Sequence, residues 1–405
     1  MNTRTMKWIC CQLGAREHYA IPRALSRQGS LDQLLTDVWV PPGSPLAALP
    51  FGLRERFHPD LSAAPVQAWN SRLLAFELAA RLKRLTGWPL ILARNYWFQR
   101  KVVTYLSSSQ LSVVGSQPIL FAYSYAARDI FRFAKAQGWK TVLGQIDPGP
   151  VEEEIVRTEH EIHPEFVSDW RSAPSKYWQN WRQELELADK ILVNSDWART
   201  ALERSGVNQQ KLAVIPLAYE PPANDSPTTH KYPDRFTLER PLRVLFLGQV
   251  NLRKGVARLL EAAQALRNEP VEFWMVGPRQ CRPAERLRRL KNVRWFRRVA
   301  HANATQYYRN ADIFILPTLS DGFALAQLEA QAHGLPVIAS RRCGDVVRHG
   351  INGIVLEEPT PDAIVAALQL CLRNPDQLAQ FSENATVGER FSLSCLGAKL
   401  CALAV

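Results

Sequence analysis

Ile313-Phe314-Ile315-Leu316-Pro317-Thr318-Leu319-Ser320-Asp321-Gly322-Phe323-Ala324-Leu325 opens the stretch that decides the fold, which runs on to Ser340. The apolar run Ile313 to Leu316 has the composition of a strand buried on both faces, as in a parallel sheet. Pro317 ends it, because proline cannot donate to a sheet ladder. A short polar turn follows, and then Leu325, Leu328 and Ala332 recur at helical spacing. Gly334 and Pro336 stop the helix, and Val337-Ile338-Ala339 begins the next strand. The unit is strand, turn, helix, strand. Its turn lies at the carboxyl end of a strand, where open α/β sheets bind ligands.

Two carboxylates, Asp321 and Glu329, mark this unit. A helical segment between them would separate them by about 12 Å. That exceeds the roughly 5–9.5 Å between the paired carboxyls of a glycoside hydrolase. It suits two hydroxyl groups of one elongated ligand. The amides of Gly322 and Phe323 lie at the expected helix N-terminus, a natural seat for phosphate or hydroxyl oxygens. An N-cap Asp321 with a surface Glu329 fits the same spacing, and spacing alone does not choose.

The stretch resembles the donor-site motif of retaining glycosyltransferases of the GT-B fold, family four, also called glycosyl transferases group 1. The resemblance rests on Ser320-Asp321-Gly322-Phe323, Leu328-Glu329-Ala330 and Gly334-Leu335-Pro336-Val337-Ile338-Ala339-Ser340. The family carries two glutamates with seven residues between them. Asp321 takes the first place and Glu329 the second. The resemblance implies that Asp321, Gly322, Phe323 and Ala324 face the donor sugar and that Glu329 holds the ribose. It also implies an α/β, GT-B fold of two Rossmann-like domains facing a cleft. Asp321 is one methylene shorter than the family's glutamate.

The bulk properties agree with two ordinary cores. The chain has 405 residues, with 22% charged and 46% hydrophobic. A net charge of +12 favours an anionic partner without choosing among sugar nucleotide, acidic lipid and nucleic acid. Seven scattered cysteines without C-x-x-C spacing suggest a reducing compartment. The apolar stretch after the basic start is too short for a signal peptide, and no apolar run reaches membrane-span length. The expected location is cytoplasmic, with membrane association as an added expectation.

Trp8-Ile9-Cys10-Cys11 reads as the first buried strand, followed by a turn at Gly14 and a helix near Pro22. A glycine here allows close backbone approach to a ligand, or simply a tight turn; the resemblance adds weight to Gly14 as a substrate contact. Residues 71–85 read as a helix with Leu74, Leu78 and Leu82 along one face. Residues 89–93 are a strand candidate, and 95–101 mixes aromatics with Arg100 and Lys101 as a partly buried edge. Strands are expected at 119–123 and 141–143. Asp147 follows the second of them, at a cleft position or as a turn former before Pro148. Many family members place a histidine there; Asp147 stands in by position. His160 and His163 lack a third His or Cys and read as a solvated face, so no metal is expected. Residues 188–195, 198–205 and 212–216 read as strand, helix and the first domain's last strand.

Pro221-Pro222-Ala223-Asn224-Asp225-Ser226-Pro227 reads as a linker. Boundaries follow: a first domain over 1–220, a linker over 221–240, a second domain over 241–385, and a terminal helix over 386–405 returning to the first domain. Leu242 to Leu247 is a strand ending at Gly248, and Gln249 to Gly255 leads into a helix from Val256. Arg253 and Lys254 at that helix start read as a diphosphate clamp, or as two exposed bases. The family keeps a Lys-Gly pair where this chain has Lys254-Gly255, and often an arginine where it has Gln249. The resemblance therefore implies donor contacts at Gly248 and Gln249, with one phosphate contact either missing or supplied by Arg253. It places Arg297 and Arg298 near the donor base. The basic run 282–298 shows no stripe of the kind a nucleic-acid surface needs.

The expected function is glycosyl transfer from a nucleoside-diphosphate sugar to an acceptor hydroxyl, with retention. Arg253, Lys254, Asp321 and Asp147 carry the chemistry; Gly14, Gly248, Gln249, Gly322, Phe323, Ala324, Glu329 and Arg298 bind substrate. The acceptor is a sugar, a lipid-linked sugar or a small molecule. No cofactor and no nucleic acid is expected. The alternative is a nucleotide-sugar-binding protein that has lost catalysis, given Asp321, Gln249 and the missing histidine.

Overall fold

The structure, a computed structural model, describes residues 6–48, 53–108, 117–221 and 228–403. Residues 222–227 of the expected linker and residues 1–5 of the basic start lie outside these. The first half contains β1 (Trp8–Gln12), α1 (Ala20–Arg27), β2 (Leu31–Thr36), β3 (Val66–Ala68), α2 (Asn70–Leu82), α3 (Gly87–Ser108) and β4 (Ile119–Tyr123). It continues with α4 (Arg128–Ala136), β5 (Lys140–Gly144), α5 (Pro150–Ile162), β6 (Val167–Ser168), α6 (Ser175–Leu187), β7 (Lys190–Val193), α7 (Asp196–Arg204) and β8 (Leu212–Val214). The second half opens with β9 (Leu242–Leu247), α8 (Val256–Ala265), β10 (Val271–Val276), β11 (Cys281–Arg282), α9 (Glu285–Arg288) and β12 (Val293–Phe296). Then come α10 (His301–Asn310), β13 (Ile313–Leu316), α11 (Leu325–Ala332), β14 (Val337–Ser340), β15 (Gly353–Leu356), α12 (Pro361–Arg373), α13 (Pro375–Glu383) and α14 (Leu393–Leu403).

Two parallel sheets organise these elements. The first has the order β3-β2-β1-β4-β5-β7-β8, and the second β12-β10-β9-β13-β14-β15. Each is a Rossmann-like doubly wound sheet, and in each the order reverses beside its first strand. In the second sheet the reversal falls between β9 and β13, so the residues after these strands border one crevice. The apolar runs supply the reason: β1, β4 and β13 are buried along their full length, which a sheet covered by helices on both faces requires. The helix α14 packs Leu393, Leu396 and Leu400 into the first domain's core beside Trp8 and Leu25.

Side-chain and strand contacts join the halves, among them the following. β6 and β11 pair antiparallel, Ser168 opposite Cys281. Arg258 of α8 grips the buried Glu159 of α5 with two bonds of 3.1 and 2.9 Å. The Ser195 hydroxyl donates to the Gly322 carbonyl at 2.7 Å.

Two expectations are corrected, and a third gains an unexpected environment. Residues 89–93 belong to α3, not to a strand; Pro89 sits in the helix's first turn, where its missing N–H costs nothing. Leu74, Leu78 and Leu82 do share a face of α2, but that face is turned to solvent. His160 and His163 do not form a solvated pair. His160 stacks on Trp170, and His163 is buried with its ring nitrogens 3.5–3.6 Å from Glu159, Glu165 and Glu261. One ligand atom from each of His163, Glu165 and Glu261 lies within 4.8 Å of the others.

Candidate functional site

The crevice of the second domain is built by two loops locked together. Gly255 has φ +73°, and a Cβ there would stand 1.9 Å from the Pro317 carbonyl oxygen. Only glycine combines that backbone with that approach. The Arg253 carbonyl then accepts from the Leu319 N–H at 2.9 Å and the Thr318 hydroxyl at 3.1 Å. Asn251 fixes the other side, its side chain accepting from the Lys254 N–H at 3.0 Å. The two basic side chains are thereby aimed at the turn after β13.

There they meet Asp321. Lys254 Nζ bonds Asp321 Oδ2, and Arg253 Nη1 lies 3.4 Å from Oδ1. Burial works to raise the Asp321 pKa, but Lys254 and Arg253 outweigh it and hold the carboxyl below its ordinary value. Arg253 also donates to the Ser320 carbonyl at 3.3 Å and stands 3.5 Å from Glu152 of α5. Glu152 is pushed up to about 7, chiefly by burial; Arg253 opposes the shift, and Asp147 and Asp321 add to it. Two cations therefore meet Asp321 beside them and Glu152 from the opposite domain.

The helix α11 starts only at Leu325, so Asp321 to Ala324 form a loop rather than a first helical turn. In that loop the Asp321 N–H donates to the Arg342 carbonyl and the Ala324 N–H to the Cys343 carbonyl. Among the described residues, the N–H groups of Gly322 and Phe323 have no partner. A Cβ on Gly322 would meet the Ile146 carbonyl oxygen at 2.7 Å, so glycine lets the first domain close directly over this loop. The Phe323 ring is buried with Leu217, Leu328, Val346 and Phe391. Its side chain is structural, and its backbone faces the crevice loop.

Asp147 enters from the first domain. Its Oδ1 accepts from the Tyr125 hydroxyl at 2.5 Å and from the Gly149 N–H at 2.9 Å. Burial raises its pKa, against these bonds. Tyr125 is held at φ +74°, a strained conformation for a tyrosine. The buried Glu184 maintains it by accepting from the N–H groups of Tyr125, Ala127 and Arg128. A cavity of about 630 Å³ opens beside this group, between the domains. Asp147, Glu152, Gln249 and Arg253 line it, with the rings of Trp88, Tyr125, Tyr177 and Trp178.

The other expected residues take the following places. Gly14, at φ +81°, makes a turn whose N–H is committed to Asp37 at 3.0 Å. The Gly248 N–H is likewise taken, by the Val276 carbonyl, and that of Ala324 by Cys343. Gln249 is exposed at the cavity wall. Glu329 lies on α11, where the Tyr308 hydroxyl donates to it at 2.7 Å. Arg298 is exposed beyond the carboxyl end of β12. Sequence reasoning missed Glu152 and Tyr125. Glu152 was legible in principle: it stands in the first turn of the helix that follows a strand's carboxyl end.

Comparison with known proteins fits this geometry. Residues 241–374 match the family model described as glycosyl transferases group 1. A D-inositol 3-phosphate glycosyltransferase of Catenulispora acidiphila is 33% identical over 160 residues, 35% of this chain and 38% of that protein. One from Geodermatophilus obscurus is 27% identical over 47% of each chain. The chain thus spans about half or less of the length of the curated relatives it matches. Among solved structures, Anabaena HepE in complex with UDP-glucose superposes with a TM-score of 0.60 at 15% identity, over 98% of this chain and 99% of that one. The sucrose-phosphate synthase of Thermosynechococcus elongatus gives 0.60 at 17%, over 98% of each. Residues 241–374 are therefore similar to the glycosyl transferases of group 1, and the two domains together take the GT-B fold.

Proposed function

We propose that the protein is a glycosyltransferase that moves a sugar from a nucleoside-diphosphate sugar to an acceptor hydroxyl, with retention of anomeric configuration. The observation that carries this reading is the pair Arg253 and Lys254 at the second domain's switch point, beside the unpaired amides of Gly322 and Phe323. Cations and free N–H groups at one crevice are what a diphosphate needs. In this reading the diphosphate displaces the Asp321 carboxylate from the two cations. Lys254 and Arg253 then stabilise the charge that develops on the leaving group. The freed Asp321 and the loop amides orient the sugar hydroxyls. Glu329 takes the ribose, and Arg298 the neighbourhood of the base.

Asp147 stands on the opposite wall, where the acceptor would enter. It orients the attacking hydroxyl, itself positioned by Tyr125. Gln249 lines the cavity without a charge, so Arg253 alone supplements Lys254 on the phosphates. The neighbouring fold with bound UDP-glucose makes uridine donors the first to try.

The test joins binding and chemistry. Thermal shift against a panel of nucleoside-diphosphate sugars is expected to single out one donor. Turnover of that donor, with the product's anomeric configuration read by NMR, is expected to match the donor's. An inverted product would overturn retention. Selective binding without turnover on any acceptor would overturn catalysis and leave a binding protein.

A further inference from the structure

Half of the protein's net charge lies on one helical hairpin. Residues 70–108 hold Arg72, Arg81, Lys83, Arg84, Arg94, Arg100 and Lys101 against a single acid, Glu77: seven positive minus one negative is +6, of the chain's +12. Glu77 is itself tied to Arg94 by bonds of 3.0 and 2.7 Å. The same hairpin carries an inverted helix. α2 buries Leu73 and Ala80 inward, yet Leu74, Leu78 and Leu82 point outward, 38, 61 and 78% exposed. They recur every four residues, so they form one stripe. A surface helix ordinarily puts polar residues on that face. On α3 the half-exposed Tyr96, Trp97, Arg100 and Lys101 border a groove of about 390 Å³ with Phe76 of α2.

We propose that the α2–α3 hairpin docks this protein on an anionic lipid bilayer surface, the leucine stripe entering the interface and the basic residues meeting the headgroups. An outward apolar stripe among cations is the pattern of an interfacial helix. A nucleic acid would use the cations but not the leucines. A second copy of this chain would bring another +6 against the first. Docking does not require a spanning segment, and no helix among the described residues is long and apolar enough to cross a membrane. The same α3 that carries Arg100 and Lys101 places Trp88 in the interdomain cavity, so one helix would link the lipid surface to the cleft.

Vesicle flotation of the full chain tests this. Binding is expected to vesicles of phosphatidylcholine with one third phosphatidylglycerol, weakening as salt rises, and not to phosphatidylcholine alone. Leu78→Glu/Leu82→Glu changes only exposed side chains. It is expected to leave the melting temperature unchanged and to weaken vesicle binding by about tenfold or more. Arg100→Gln/Lys101→Gln should also weaken it, by a smaller factor. Absence of wild-type binding to the anionic vesicles would overturn the proposal. So would binding unaltered by the leucine variant, or a wild-type dimer that this variant converts to monomer.

Discussion

The two sheets share a topology but not a style of constraint. In the second domain, Gly255 brings backbone against the Pro317 carbonyl, and two loops fuse into one crevice. In the first domain, the corresponding turn at Gly14 meets only the end of a flexible side chain, Arg56 Nη1 at 2.8 Å. The difference teaches where specificity is stored. The second domain fixes its crevice by main-chain geometry, which leaves a sequence motif. The first fixes its wall by scattered side chains, Tyr125, Asp147, Glu152 and Glu184, far apart in the chain and joined only in space.

The sharpest break of that comparison is a pair of glycine substitutions. Gly255→Ala forces a Cβ into the Pro317 carbonyl and an alanine into left-handed backbone. It should cost roughly 3 kcal/mol or more and leave the second domain misfolded or unstable in urea. Gly14→Ala meets a side chain that can swing away and should cost on the order of 1–2 kcal/mol. Equal losses in denaturant titrations would show that the contrast between the domains is wrong.

Lys254→Ala sharpens it on the chemical side. Its removal leaves the buried Asp321 paired with Arg253 alone, so the melting temperature should fall while circular dichroism keeps the folded spectrum. Turnover should fall by about 10²–10³, the usual scale for removing one preorganised group from a developing charge. An unchanged rate in folded protein would remove Lys254 from the leaving-group site.

The same contrast explains what the sequence can and cannot convey. The unit from Ile313 to Ser340 is legible because its information is local: a buried run, a proline stop, a helical period and a glycine stop. Residues 89–93 mislead because a short apolar run has the same composition in a strand and in a helix. The α2 leucines do fall on one face, but periodicity does not say whether a face is covered. Glu152 is hidden in an acidic run whose members differ only in which one turns toward Arg253. The aromatic wall of Trp88, Tyr125, Tyr177 and Trp178 has no periodic spacing, since separate segments of the chain supply it.

Glu152 offers the subtlest test, because it is a first-domain group that acts on the second-domain site. Burial lifts its pKa from 4.5 to about 7. Between those values the folded chain holds a proton that the unfolded chain has lost, so stability falls as pH rises through this window. Glu152→Gln removes that cost. It should stabilise the protein by on the order of 1–3 kcal/mol at pH 8, with the gain shrinking toward pH 5, where the carboxyl is largely neutral in the folded state. The variant also deletes a negative charge 3.5 Å from Arg253, so donor KM should fall at pH 8 while remaining near the wild-type value at low pH. Melting curves and donor titrations across pH 5–8 read both effects. A gain in stability without any change in donor KM would mean that the two domains touch at Glu152 without sharing the diphosphate site.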